Sequence, residues 1–153
     1  MGEDRYRAVM PAIEALLEGE DDWVAAMATV SCELHHAFEH FHWTGFYRAV
    51  SDELLVIGPY QGSHGCLRIP FSRGVCGAAA RTRETQLVAD VSAFEGHIAC
   101  ATSTRSEIVV PVLRSDGSVL AVLDVDSNLP AAFDEVDREH LEALAAMLGP
   151  RFG

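Results

Sequence analysis

"EIVVPVLRSDGSVLAVLDVDS", residues 107–127, contains two β-branched runs separated by Asp116-Gly117. Asp-Gly between alternating apolar residues is the strongest short-range signal for a β-hairpin. If the turn is symmetric about Asp116 and Gly117, cross-strand partners have numbers summing to 233, which sets Glu107 opposite Asp126. Side chains alternate along a strand, so Asp124 and Asp126 share a face with Glu107, Val109, Pro111, Leu113, Leu120 and Val122. Three acids then end an otherwise apolar face. Like charges directly opposite each other weaken a sheet unless a cation, a metal or a proton compensates. Two readings are open. Asp126-Ser127-Asn128 is the polar end of a strand with Asp124 turned to water, or the acids form a functional cluster. The apolar setting "VLAVLDVDS" favours the cluster, because a solvated face carries more polar residues than one acid pair.

The elements around this hairpin can be read on both sides. Tyr6, Met10, Ile13 and Leu17 recur at helical spacing before Gly19, which predicts a helix over residues 3–18 that Pro11 kinks or starts late. Asp21 or Asp22 can cap a second helix to about residue 40, with the stripe Trp23, Met27, Val30, Leu34, Phe38. "WTGFYRAV" and "LLVIGPYQG" are aromatic and β-branched and form a second hairpin. "CLRIP" is a short extended piece, a helix starts near residue 75, and "QLVADV" returns to strand. Asp134 can cap a last helix bearing Val136, Leu141, Leu144 and Leu148, which Gly149-Pro150 would end. This order predicts an α+β protein, with an antiparallel sheet of about six strands, the terminal helices on one face and loops on the other.

The 153 residues suit a single domain spanning 1–153. No apolar run approaches the length of a membrane span, and the first twenty residues carry no secretory pattern, so a cytoplasmic protein is expected. Eleven basic against 23 acidic residues give a net charge of −12, which would repel nucleic acid and anionic membranes. The four cysteines, Cys32, Cys66, Cys76 and Cys100, lie far apart without a CxxC and are expected as thiols in a reducing compartment. Cys32, His36 and His40 fall at i, i+4 and i+8. Three ligands along one helix diverge with its rise, so a packed or solvated face is expected there and no metal site.

Seven segments in order, "WTGFY" (43–47), "GPYQG" (58–62), "CLRIP" (66–70), "SRGVCG" (72–77), "ADVSAFEGHIAC" (89–100), "SEIVVPV" (106–112) and "VLDVDS" (122–127), resemble the free methionine-(R)-sulfoxide reductases. That family is built on the GAF fold, and the resemblance spans roughly residues 20–148. It implies that Cys100 attacks the sulfoxide sulfur, that methionine leaves, and that Cys66 resolves the sulfenic acid as a disulfide. Thioredoxin, recharged by NADPH through thioredoxin reductase, would reduce that disulfide, with no bound cofactor. Cys76 matches the family's third cysteine, either a disulfide relay or a packing residue. The resemblance also implies a homodimer through the helical face.

The chemistry explains why such residues would be grouped. A sulfoxide oxygen leaves only with a proton, and crowded carboxylates raise one another's pKa so that one stays protonated. Glu107 with Asp126 as helper is assigned proton delivery, and Asp124 the substrate ammonium. Backbone N–H groups around Ile98, Ala99 and Ala101 suit the substrate carboxylate. Trp43 and Tyr47, four apart on a strand, would wall the methyl group. His97 is read as a structural residue. The chain departs from the family at Ala101, where an acidic residue commonly follows the nucleophile, and at Ser63-His64-Gly65, which is more polar and flexible than usual. The alternative is a GAF small-ligand or redox sensor without turnover.

Overall fold

A computed structural model describes residues 2–153. Its strands are β1 (Trp43–Ala49), β2 (Leu54–Gln61), β3 (Arg68–Pro70), β4 (Gln86–Val88), β5 (Ser106–Leu113) and β6 (Val119–Ser127). Its helices are α1 (Gly2–Leu16), α2 (Trp23–Ala37), α3 (Gly74–Thr82) and α4 (Glu135–Phe152). The strands form one sheet, β3-β2-β1-β6-β5-β4, in which every neighbouring pair is antiparallel.

Period-two patterning on the central strands explains the two layers. Phe46, Ile108, Leu123 and Val125 point to one face and pack with Ile13, Met27, Leu34, Leu141 and Leu148 of α1, α2 and α4. Trp43, Tyr47, Val109 and Val122 point the other way, under α3 and the long loops, with Val75 and Cys76. α2 and α4 start where short polar side chains take up free N–H groups. Asp22 accepts from the Ala25 N–H at 3.0 Å. Asp134 and Asp137 form a reciprocal capping box, the Asp137 carboxylate accepting from the Asp134 N–H at 2.9 Å.

The β5–β6 register is the one the turn predicts, with Glu107 opposite Asp126 and every pair from Ser106–Ser127 to Val112–Ala121 in phase. At the turn end it slips. Leu113 pairs with Val119, so Leu120 is an extra residue on β6, and it joins the helix-side core instead of the acidic face. Three other expectations change. α1 starts at Gly2 and runs through Pro11, which lies on the exposed face where the freed carbonyl of the preceding turn meets water. α2 ends at Ala37, before His40. α4 continues past Gly149-Pro150 to Phe152, again with the proline exposed.

Gly149 therefore does not stop a helix; it lets α4 touch β5. A Cβ built there would stand 1.8 Å from the Leu113 carbonyl oxygen, a backbone atom that cannot swing aside. Gly149→Ala must push the last turns of α4 off the sheet. The expected cost is about 1–3 kcal/mol, as for other overpacked contacts, read as a lower urea midpoint with unchanged slope.

Candidate functional site

β6 is paired on both sides, by β5 and β1, and this carries its acids into the interior. Asp126 sits between Glu107 of β5 and Trp43 of β1, and Asp124 between Val109 and Gly45. Glu107 is 7% exposed and Asp124 4%. Asp126 is half-buried as a residue, but its Oδ1 is closed off from water and has no partner, as is Oδ1 of Asp124. Burial, and after it the charge of Asp126, push Glu107 well above the usual carboxylate range. Burial and then both neighbours do the same to Asp124. Burial also raises Asp126, while hydrogen bonds from Asp124 and Glu107 and then the charge of His97 pull it back. All three carboxyls hold their protons above the usual carboxylate range, with Asp126, the least raised, the member best placed to ionise.

The thiols converge on the same pocket. Cys66 and Cys100 are joined in a disulfide, with Cα atoms 5.2 Å apart. Cys76 is a buried free thiol on the first turn of α3, its Sγ 4.0 Å from Oε2 of Glu107. Burial and the charges of Asp124 and Glu107 push that thiol well up, so Cys76 is protonated and unreactive as it stands. The loop bearing Cys100 is tied down at both ends. Gly74 at the start of α3 donates to the Gly96 carbonyl at 2.9 Å, and Arg105 donates to Ser127 at 2.8 Å.

Trp43 and Tyr47 lie on the acidic face, rings 5.8 Å apart and stacked, and Trp43 stacks on Tyr60 at 5.1 Å. The Trp43 indole N–H donates to the Ser63 carbonyl at 2.7 Å, which anchors the segment before Cys66 to the wall. Gly65 is part of that fit, since a Cβ there would come within 2.8 Å of the Tyr47 hydroxyl and 3.2 Å of the Trp43 ring. The Ser63-His64-Gly65 departure is thus a close contact at its glycine end.

Of the loop residues, Ile98 and Ala101 line the pocket, whereas Ala99 is exposed and outside it. The Cys100 N–H is already used, donating to the Ile98 carbonyl at 3.1 Å. His97 does face the site. It lines the pocket, its Nδ1 is buried without a partner, and its charge acts on Asp126. The spacing of His97 three residues before Cys100 was the signal available in the sequence, but a loop has no period from which to assign a face. Cys32, His36 and His40 do not converge as ligands. Nδ1 of His36 lies 2.8 Å from the Cys32 carbonyl, and His40 lies beyond the helix end with its ring against Phe41. Among the described residues, the one group of thiol, imidazole or carboxylate donors close enough to share an ion is Cys76, Glu107 and Asp124.

This arrangement of sheet, long loops and a one-sided pocket defines a class. A GAF domain model matches residues 19–149, and the chain belongs to the GAF family. Within it, the chain falls among the free methionine-R-sulfoxide reductases. The protein of that name from Saccharomyces cerevisiae is 41% identical over 152 residues, covering 95% of this chain and 84% of the yeast protein. Its Escherichia coli namesake is 40% identical, covering 88% of this chain and 80% of its own. The Neisseria meningitidis enzyme, solved with its substrate, is 49% identical with a TM-score of 0.91, covering 96% of this chain and 87% of that one.

The buried acids also fix a pH dependence of stability. A carboxyl whose folded pKa is raised contributes stability that is fully present below its unfolded pKa and is lost as pH rises through the folded value. Glu107 and Asp124 should therefore make unfolding easier as pH climbs above about 4, the unfolded carboxylate range. Urea unfolding at pH 5 and pH 8 should show wild type losing more stability between them than Asp124→Asn does, by about 1 kcal/mol or more. Equal losses in the two proteins would contradict protonated burial.

Proposed function

We propose that the chain reduces free L-methionine-(R)-sulfoxide to methionine. The observation that carries this reading is one pocket lined both by Cys100 of the Cys66–Cys100 disulfide and by the carboxyls of Glu107, Asp124 and Asp126. In the reduced form, the Cys100 thiolate attacks the sulfoxide sulfur while Glu107 delivers a proton to the departing oxygen. The two-electron reduction leaves methionine and a Cys100 sulfenic acid; Cys66 then condenses with it, forming the disulfide and water. Two electrons from a reductant restore both thiols, and thioredoxin supplied by NADPH and thioredoxin reductase is the reductant we assign.

Asp126 helps Glu107, with His97 opposite holding it towards its charged form, and Asp124 takes the substrate ammonium through its unpartnered Oδ1. The Trp43–Tyr47 wall meets the methyl group and selects the epimer. Free N–H groups beside Ile98 and Ala101 take the carboxylate, and enclosing both backbone charges excludes a peptide-bound residue. In the disulfide form, the pocket leaves only about 40 Å³ for water, too little for an amino acid of this size. Reduction must therefore free the Cys100 loop before substrate enters, which couples access to redox state. No described helix is long and apolar enough to cross a membrane, and we place the enzyme in the cytoplasm. We also assign a homodimer through the helical face, where Leu16 and Val24, 57% and 60% exposed, flank the α1–α2 connection.

Purified protein with thioredoxin, thioredoxin reductase and NADPH should consume NADPH when given free methionine-(R)-sulfoxide. Cys100→Ser should abolish this, and Cys66→Ser should release about one methionine per chain and then stall under thioredoxin alone. Glu107→Gln should slow the first chemical step by roughly 10²–10⁴-fold, the usual worth of a positioned acid. A chain that binds a nucleotide or another small ligand but never turns over the sulfoxide would be the sensor instead.

A further inference from the structure

We propose that the inner wall of this pocket is also a binding site for a thiophilic divalent cation of the Zn²⁺ type, held by Cys76, Glu107 and Asp124. The three residues are 31 and 17 positions apart along the chain, so no spacing motif marks them. The fold brings them together: α3 lowers Cys76 onto the sheet face where β5 and β6 present the two acids. One donor atom from each lies within 4.8 Å of the other two, and all three residues are buried. Donors around tetrahedral zinc stand about 3.4 Å apart, so the cluster has to contract by roughly 1 Å, within the reach of side-chain rotation.

A second observation points the same way. Asp124 is 4% exposed, lines the pocket and presents Oδ1 with no protein partner. Oδ1 of Asp126 and Nδ1 of His97, in the same pocket, also lack partners but stand outside this three-donor group, so water would complete the coordination. The sequence has no lysine, and among the described residues no arginine forms an ion pair with any of these acids. With no cationic side chain beside them, the buried acids are held by protons alone, and a divalent ion can displace those protons. The donor set decides its type: a thiolate with two carboxylates suits zinc or cadmium, whereas magnesium and calcium take oxygen donors alone. Binding must displace the Cys76 proton and those shared by the acids, so it is proton-coupled. On the proposed reductase reading, the ion occupies the acids that serve the sulfoxide oxygen, so Zn²⁺ and substrate exclude each other.

The test uses the oxidised full chain, in which Cys32 and Cys76 are the free thiols. Titration with Cd²⁺ should give one thiolate-to-metal charge-transfer band per chain in the ultraviolet. Titration with Zn²⁺ in buffers of different ionisation enthalpy should report one equivalent bound and at least one proton released. Cys76→Ser should lose the band and weaken Zn²⁺ binding at least tenfold. Asp124→Asn, which keeps the thiol, should weaken binding without removing the band, and Cys32→Ser should change neither. A wild-type protein without the band, a band lost in Cys32→Ser, or Cys76→Ser binding Zn²⁺ as tightly as wild type would each overturn the proposal. Because these readouts need no substrate, absence of turnover would defeat the reductase reading and leave the metal site standing, and the converse holds.

Discussion

The structure depends on a repulsion that it is built to contain. Glu107 and Asp126 face each other across β5 and β6 with Asp124 two residues away, inside a sheet where water cannot screen them. A surface sheet with such a pairing would lose stability and gain nothing. Here β1 closes the other side of β6 and the Cys100 loop and α3 close the top, so the charge is relieved by holding protons instead of by solvation. The same confinement that costs stability keeps protons on carboxyls above their usual range.

The two faces of the sheet divide the labour. On the helix side, Ile13, Met27, Leu34, Leu123, Leu141 and Leu148 are fully buried, and the close seat of α4 on β5 at Gly149 keeps that layer rigid. On the other side the layer is thinner and made of α3 and loops, with both cysteines of the disulfide in loop segments. The two joined cysteines thus sit on loops, whose backbone can shift more than a paired strand, while the acids sit on central strands. Trp43 joins the two, since its ring walls the pocket and its N–H holds the Ser63 carbonyl three residues before Cys66.

Cys76 stands apart from the other two pocket thiols. It points at the same acids, but burial and their charge keep it protonated, whereas Cys66 and Cys100 are already paired. A buried thiol against buried carboxyls packs well enough as a small apolar group. It also completes a donor set that a soft cation could occupy, and this follows from the position of α3 alone.

Much of this architecture could be read from the chain. The Asp116-Gly117 turn with its alternating flanks was enough to place Glu107 opposite Asp126, because cross-strand register is counted from the turn and each residue's face follows from parity. The same parity put Trp43 and Tyr47 on one face, and Asp22 and Asp134 announced their helices through capping chemistry. Parity fails where a bulge inserts a residue, as at Leu120, and proline fails as a stop signal where its missing N–H falls on the water side, as at Pro150. Loops carry no period, so the inward turn of His97 and the outward turn of Ala99 were settled only by how the Cys100 segment packs on α3. The sequence by itself determined which residues share a strand face, since that is local geometry; which separate faces meet, and so which thiol touches which acid, was decided by long-range packing that no short window contains.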